Sequence, residues 1–259
     1  MSKVLITGSS DGLGRMAAQR LLAAGHDVVV HGRNESRARD ARAAAPTASA
    51  VVIGDLSSIA ETRALADQAN KLGPFDAVIH NAGVGDRRRR TETVDGLEHV
   101  FAINVLAPYL LTALIERPPR LVYLSSGMHF GGDPDFSDLQ WTRRRWSGSQ
   151  AYSDSKLCDA AIAFAIARRW PAVCSNAVDP GWVATRMGGR GAPDDLGQGS
   201  ETQAWLAVGD DAGAKVSGSY FYHRRRREPN PLASDVRFQD TLFAACEQLT
   251  GIAMPTAKS

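Results

Sequence analysis

The chain has 259 residues, 44% apolar and 22% charged, with a formal net charge of +2. These are globular values for a chain long enough to bury a sizeable core, and the near balance of charge excludes a whole-molecule attraction to nucleic acid or an anionic membrane. Three scattered cysteines, Cys158, Cys174 and Cys246, lack metal-ligand spacing, so no metal is expected, and buried reduced thiols in a cytoplasmic protein fit best.

The opening MSKVLITGSS runs straight into a strand, without the basic flank and long apolar region of a secretory signal. No apolar run approaches the ~18 residues of a membrane span. KVLITG (3–8) reads as a buried strand and LGRMAAQRLLAAG (13–25) as a helix closed by a glycine. DVVVHG (27–32), ESRARDARAAA (35–45) and SAVVIGDL (49–56) follow as strand, helix and strand. Residues 57–73 form a helix, with Ser58 and Glu61 spaced as a capping box and Gly73-Pro74 as its stop. FDAVIHNAG (75–83) is the fourth strand, and residues 94–116 are expected as one long helix kinked at Pro108. RLVYLSS (120–126), a helix over 150–169, AVCSNAVDPG (172–181) and SGSYFY (217–222) complete the alternation. Near-continuous Val/Ile/Leu strands imply a sheet covered on both faces. Strand–helix alternation then predicts a doubly wound α/β fold with a parallel sheet of about seven strands, over one domain spanning 1–259.

The first turn, TGSSDGLG (7–14), holds Gly8, Gly12 and Gly14. Glycines there let the backbone approach a pyrophosphate, and the helix that follows points free N–H groups at it. Ser10 and Leu13 share the turn. An enzyme preferring NAD commonly carries an acid after the second strand to accept from the ribose 2′-hydroxyl. Here Arg33 and Asn34 stand instead, which favours NADP(H) over NAD(H) because a guanidinium grips the extra phosphate.

TGSSDGLG, the NAG of 81–83, Ser126, the Tyr152–Lys156 pair and Pro180-Gly181 occur in the order of the short-chain dehydrogenase/reductase family. TVDGLEHVFAINVLAPYLLT, VYLSSGMHF, AYSDSKL and DPGWVATRM further resemble its retinol-dehydrogenase and WW-domain-oxidoreductase branch. The resemblance implies a Rossmann-type fold and interconversion of an alcohol with its ketone or aldehyde. It implies that Asp55 and Leu56 meet the adenine, Asn81, Ala82 and Gly83 the next turn, and Pro180, Gly181, Val183 and Thr185 the nicotinamide side. Tyr152 would act as acid/base and Lys156 as the cation that makes a phenol, ordinarily of pKa near 10, useful at neutral pH. Lys156 would also hold the ribose, Ser126 the substrate oxygen, and Asn104 a water for proton relay. Met128, His129 and Trp182 are candidate substrate contacts.

Residues 127–150, with Trp141 and Trp146 flanking Arg143, Arg144 and Arg145, and residues 187–200 are expected as lid segments. The arginine runs 87–90, 143–145 and 224–227 read as solvated loop tips rather than a rim for an anionic substrate. A hydrolase reading around Ser125 or Ser126 fails because the nucleophile elbow G-x-S-x-G is absent. The alternative from another class is a catalytically silent nucleotide-binding or interaction protein on the same fold. The expected partner is a small alcohol or carbonyl compound, with helices 94–116 and 150–169 available for a homo-oligomer.

Overall fold

The computed structural model describes residues 1–85 and 88–256, so Asp86 and Arg87, the first residue of one arginine run, lie outside the described residues. The apolar runs become strands β1 (Lys3–Ile6), β2 (Asp27–Gly32), β3 (Ala50–Ile53), β4 (Ala77–His80), β5 (Arg120–Leu124), β6 (Cys174–Asp179), β7 (Ser219–Tyr222) and β8 (Arg225–Arg227). They lie side by side in the order β3-β2-β1-β4-β5-β6-β7-β8. The first seven are parallel, and β8 turns back antiparallel on β7. The expected count of about seven is therefore one short. β8 is the run Arg225-Arg226-Arg227, whose charged side chains carry no apolar strand signal. It is exposed, as suits a sheet edge that must not pair with another chain.

Successive residues of β1 and β2 feed opposite sides of the sheet. Leu5 and Val29 enter one core with α3 (Ile59–Leu72), α5 (Ala107–Leu114), α6 (Gly148–Arg169) and α8 (Val236–Thr250). Val4, Ile6, Val28 and Val30 enter the other with α1 (Gly12–Ala23), α2 (Glu35–Ala44) and α7 (Leu196–Val208). This two-sided burial is why the strands read as continuous apolar runs rather than alternating ones. Among the described residues no helix is long and apolar enough to cross a membrane.

The helix expected over 94–116 begins later and is irregular. A short α4 (His99–Phe101), capped by the Glu98 carboxylate, runs into a π-helical turn, Ala102–Leu106, before α5 starts with Pro108 in its first turn. The bulge surrounds Asn104, so the irregularity sits one turn before the proline that the sequence points to. At α3, Ser58 Oγ accepts from Glu61 N–H as expected of a capping box, but Glu61 turns its carboxylate to Asp55 N–H.

Candidate active site

The strand order reverses between β1 and β4, and their C-terminal ends open a crevice there, where parallel α/β sheets hold ligands. Thr7 and Asn81 stitch the two ends together. Thr7 Oγ1 accepts from the N–H groups of Asn81 and Ala82, both at 3.0 Å, and Asn81 Nδ2 donates to the carbonyls of Thr7 (2.9 Å) and Gly8 (3.1 Å). Gly8 has φ +63, and a Cβ added to Gly14 would lie 2.3 Å from Asn81 Nδ2. The glycines are thus needed twice, for a left-handed turn and for close packing on the NAG segment.

α2, α3, α6, α7 and α8 have side-chain caps from Asn34, Ser58, Ser147, Asp195 and Asp235. α1 has none, because Asp11 instead pairs with Arg37. Its first-turn N–H groups are left for another acceptor. Among the described residues, Asn81 Oδ1 is buried without a partner, and above Gly12 only Thr185 comes within 4 Å of an added Cβ. An uncapped helix start, an orphan carbonyl oxygen and an uncrowded glycine fit the phosphates and ribose of a dinucleotide. Arg33 is exposed and makes no ion pair among the described residues, whereas Asn34 caps α2 by accepting from Arg37 N–H. Ser10 is half-buried, and its buried neighbour Ser9 bonds into the strands. Asp55 accepts from Ser57 N–H, and Leu56 is buried.

His31 escapes the sequence reading, although a polar residue inside VVVHG was a visible signal. It is buried at the end of β2. Its Nδ1 accepts from Gly8 N–H at 2.9 Å, so its Nε2–H donates to Gly54 O at 2.9 Å, and its own N–H donates to Ser9 Oγ at 2.7 Å. Burial lowers its pKa, so the ring is neutral and its tautomer fixed.

On the other side of the crevice, Tyr152 lies half-buried in α6 with Lys156 Nζ 5.7 Å from its ring centre. The Lys156 ammonium is buried and donates to Leu124 O (2.8 Å) and Asp159 Oδ2 (2.7 Å). Burial disfavours that ammonium, but Asp159 and then Tyr152 outweigh it and raise its pKa. Burial likewise pushes the Asp159 carboxyl up to about 6 against the pull of Lys156, so the pair is charged at neutral pH. A Cβ on Gly83 would stand 3.4 Å from both Lys156 Nζ and Asn104 Oδ1. Asn104 clamps the loop after β4, accepting from Val84 N–H (2.8 Å) and donating to Val84 O (3.0 Å) and Ser155 Oγ (2.9 Å). Ser125 Oγ donates to Lys156 O, while the half-buried Ser126 Oγ accepts from Met128 N–H. Among the described residues, Ser126 Oγ has no acceptor for its own proton, whereas Ser125 has one in Lys156 O.

The candidate substrate contacts separate. Met128 and Trp182 are 43% and 61% exposed, and the sequence reading missed two similar residues, Phe130 (55%) and Met187 (53%). His129 goes to the interior, with 0% exposure. Its Nδ1–H donates to Ser126 O (2.8 Å), its Nε2 accepts from Asn230 N–H (3.0 Å), and its ring stacks on Tyr220. Beyond β6, Gly181 N–H donates to Asp179 and Trp182 N–H to Asp194, with Val183 buried behind them. Thr185 lies over the glycine turn, its methyl 3.8 Å from an added Cβ on Gly12. In the long segment after β5, Asp138 accepts from the N–H groups of Thr142, Arg143 and Arg144, and the Arg144 guanidinium lies 3.6 Å from the Trp141 ring centre.

A family model described as short chain dehydrogenase matches residues 2–120. An uncharacterized oxidoreductase of Emericella nidulans is 44% identical over 98% of this chain and 99% of its own length. The short-chain dehydrogenase chyC of Penicillium rubens is 40% identical over 98% and 100%. Human retinol dehydrogenase 13 is 29% identical over 98% of this chain and 86% of its own. Among solved structures, an uncharacterized Mycobacterium paratuberculosis protein superposes with a TM-score of 0.84 at 29% identity, over 98% of this chain and 95% of the other. A metagenomic blue fluorescent protein in complex with NADPH superposes at 0.68 and 24% identity, over 85% and 95%, and shares the fold.

Proposed function

The chain belongs to the short-chain dehydrogenase/reductase family, in a retinol-dehydrogenase-like branch, and we propose that it interconverts an alcohol and its ketone or aldehyde with NADP(H). The observation that carries the reading is the Lys156 ammonium, 5.7 Å from the Tyr152 ring centre and with Asn104 against Gly83 in the loop after β4, together with the uncapped, glycine-lined start of α1 after β1. The first turn of α1, with Gly8, Ser10, Gly12, Leu13 and Gly14, would hold the pyrophosphate. Asp55, Leu56, Asn81, Ala82 and Gly83 would line the adenosine and ribose side, and Pro180, Gly181, Val183 and Thr185 the nicotinamide side. Arg33 would bind the 2′-phosphate. Arg37 neutralises Asp11, which would otherwise repel that phosphate.

When bound, the nicotinamide supplies or takes up the hydride. Ser126 Oγ–H would donate to the substrate oxygen and fix its position. The Tyr152 hydroxyl would give that oxygen its proton in reduction and remove it in oxidation. Two N–H groups of Lys156 are bonded to Leu124 and Asp159, and the third remains for the ribose. Asn104 would fix the loop that carries Gly83. The NADPH-bound fluorescent protein of the same fold supports a nicotinamide cofactor, and the unpaired Arg33 supports the phosphorylated form.

Paired fluorescence titrations with NADPH and NADH test the cofactor reading. NADPH should bind more tightly, and Arg33→Ser should weaken it by about tenfold, the scale of one charged hydrogen bond, while leaving NADH unchanged. Equal binding of both cofactors, or of neither, would remove the role of Arg33. With 4-nitrobenzaldehyde as carbonyl probe, Tyr152→Phe should lower turnover by about 1,000-fold with the NADPH Kd within a few-fold. Retained turnover would place the proton on another group.

A further inference from the structure

Asp159 lies about one helical turn past Lys156, on the face of α6 that also carries Tyr152 and Lys156, and only 2% of it is exposed. None of the motifs that mark the site includes it. Its carboxylate meets the Lys156 ammonium at 2.7 Å, with both side chains at most 5% exposed. Two charges are rarely withdrawn from water for stability alone, because their desolvation cancels much of their attraction. We infer that Asp159 is a positioning residue for the acid–base group: it fixes the Lys156 ammonium, offsets its charge, and so sets the pH at which the Tyr152 hydroxyl gives up its proton. The inference rests on the reading that Tyr152 is that group.

The surroundings support it. On α6 the titratable neighbours of Asp159 are Lys156, Tyr152 and the Cys158 thiol, which burial holds protonated. From β5 it faces Tyr123, a neutral phenol hydrogen-bonded to Thr112, and behind that ring, on β4, lies His80, also neutral. Lys156 is the cation that the carboxylate bonds, through Nζ, which also donates to Leu124 O. A lone ammonium beside Tyr152 would favour the phenolate strongly; an ammonium neutralised one turn farther on favours it less. Asp159 is seven residues from Tyr152, a rise of about 10 Å along the helix. At an effective dielectric of about 20, removing a unit charge at that range moves a titration by about one pH unit.

The test needs no substrate. Tyrosinate absorbance near 295 nm is followed from about pH 6 to about pH 11, with and without saturating NADP⁺. The Tyr152→Phe curve is subtracted to isolate Tyr152. In Asp159→Asn the isolated midpoint should move about one pH unit lower, and in Asp159→Glu, which keeps the charge, it should stay near the parent value. If Asn is not tolerated, the comparison of Asp159→Gln with Asp159→Glu repeats the contrast at matched length. A purely structural Asp159 would lower Tm and leave the midpoint in place, and that result would overturn the inference. The two readings fail differently. No titration attributable to Tyr152 removes the acid–base role itself and the inference with it, whereas a Tyr152 titration indifferent to Asp159 removes only the inference.

Discussion

His31 and His129 sit under opposite halves of the crevice, both buried and both lowered in pKa by that burial, yet locked in opposite tautomers. His31 accepts at Nδ1 from the glycine turn, while His129 donates from Nδ1 to Ser126 O and accepts at Nε2 from Asn230 N–H. Each fixes a short connecting segment at the end of a strand: His31 holds the glycine turn before α1, and His129 lies within a single 3-10 turn, Gly127–Gly131, after β5. The loops differ in what they leave over. Around the glycine turn, backbone N–H groups and one amide oxygen stay available, suiting a charged, polar ligand. Beyond Ser126, the polar groups are bonded within the protein, and Met128 and Phe130 face outward, suiting apolar contact.

The sharpest way to test this contrast is through the glycines. A Cβ on Gly14 would fall 2.3 Å from Asn81 Nδ2 and 2.5 Å from Gly8 O, whereas one on Gly131, in the second loop, meets nothing within 4 Å. Gly14→Ala should therefore cost about 3 kcal/mol in urea unfolding and weaken NADPH at least ~100-fold. Gly131→Ala should stay within about 0.5 kcal/mol. Equal effects would mean that the two loops are equally tight and the contrast is wrong.

The histidines come next. His31→Leu and His129→Leu each strand a partly buried backbone donor and should each destabilise by about 1–3 kcal/mol. Only the first should weaken NADPH. His31→Asn, which returns an acceptor near the Nδ1 position, should recover much of that binding. If His129→Leu also weakens NADPH by more than a few-fold, the halves are coupled and cannot be treated separately.

Much of this was legible. The two-sided core writes itself into KVLITG, DVVVHG and RLVYLSS, and the glycine turn lies between a strand and a helix, as its chemistry requires. Tyr152 and Lys156 stand one helical turn apart, so local spacing suffices to pair them. What was not legible depends on contacts distant in sequence. His31 binds Gly8 and Gly54 across strands, His129 binds Asn230 across 101 positions, and β8 is made of arginines that no strand propensity favours. The π-turn at Asn104 is equally non-local: it goes with the hydrogen bonds of that side chain to Val84, on the loop after β4.

Buried neutral histidines also predict the acid limb of stability. His80 is the extreme case, with burial pushing its pKa down to about 3. An unfolded histidine takes its proton near 6.5, while the folded one refuses it. The contribution is therefore whole above pH 6.5 and is lost progressively as pH falls from there towards about 3. His31 and His129 act in the same direction. Asp159 acts in the opposite one, because its raised carboxyl takes a proton in the fold before the unfolded chain does. Urea unfolding at successive pH values should show a shallower decline below pH 6.5 in His80→Gln, which removes the titration but keeps an amide to meet Thr112. The difference should approach about 1.4 kcal/mol per pH unit. An unchanged slope would mean that His80 protonates freely in the folded state.

The smallest effects separate residues within a single arginine run. Arg145 is exposed, and its replacement by serine should change stability by less than about 0.5 kcal/mol. Arg144 is different. Its guanidinium lies against Trp141, 3.5 Å from Asp154 and 3.9 Å from the buried Asp138. Removing it leaves two largely buried carboxylates without their cation, so Arg144→Ser should cost about 1–3 kcal/mol. Both variants should leave KM for 4-nitrobenzaldehyde, a neutral carbonyl compound, nearly unchanged, because Arg144 acts on the loop's own structure and Arg145 is exposed. A tenfold rise in KM confined to an anionic carbonyl compound would instead place Arg145 at the substrate. The second loop would then be a charged rim, and its contrast with the glycine turn would vanish.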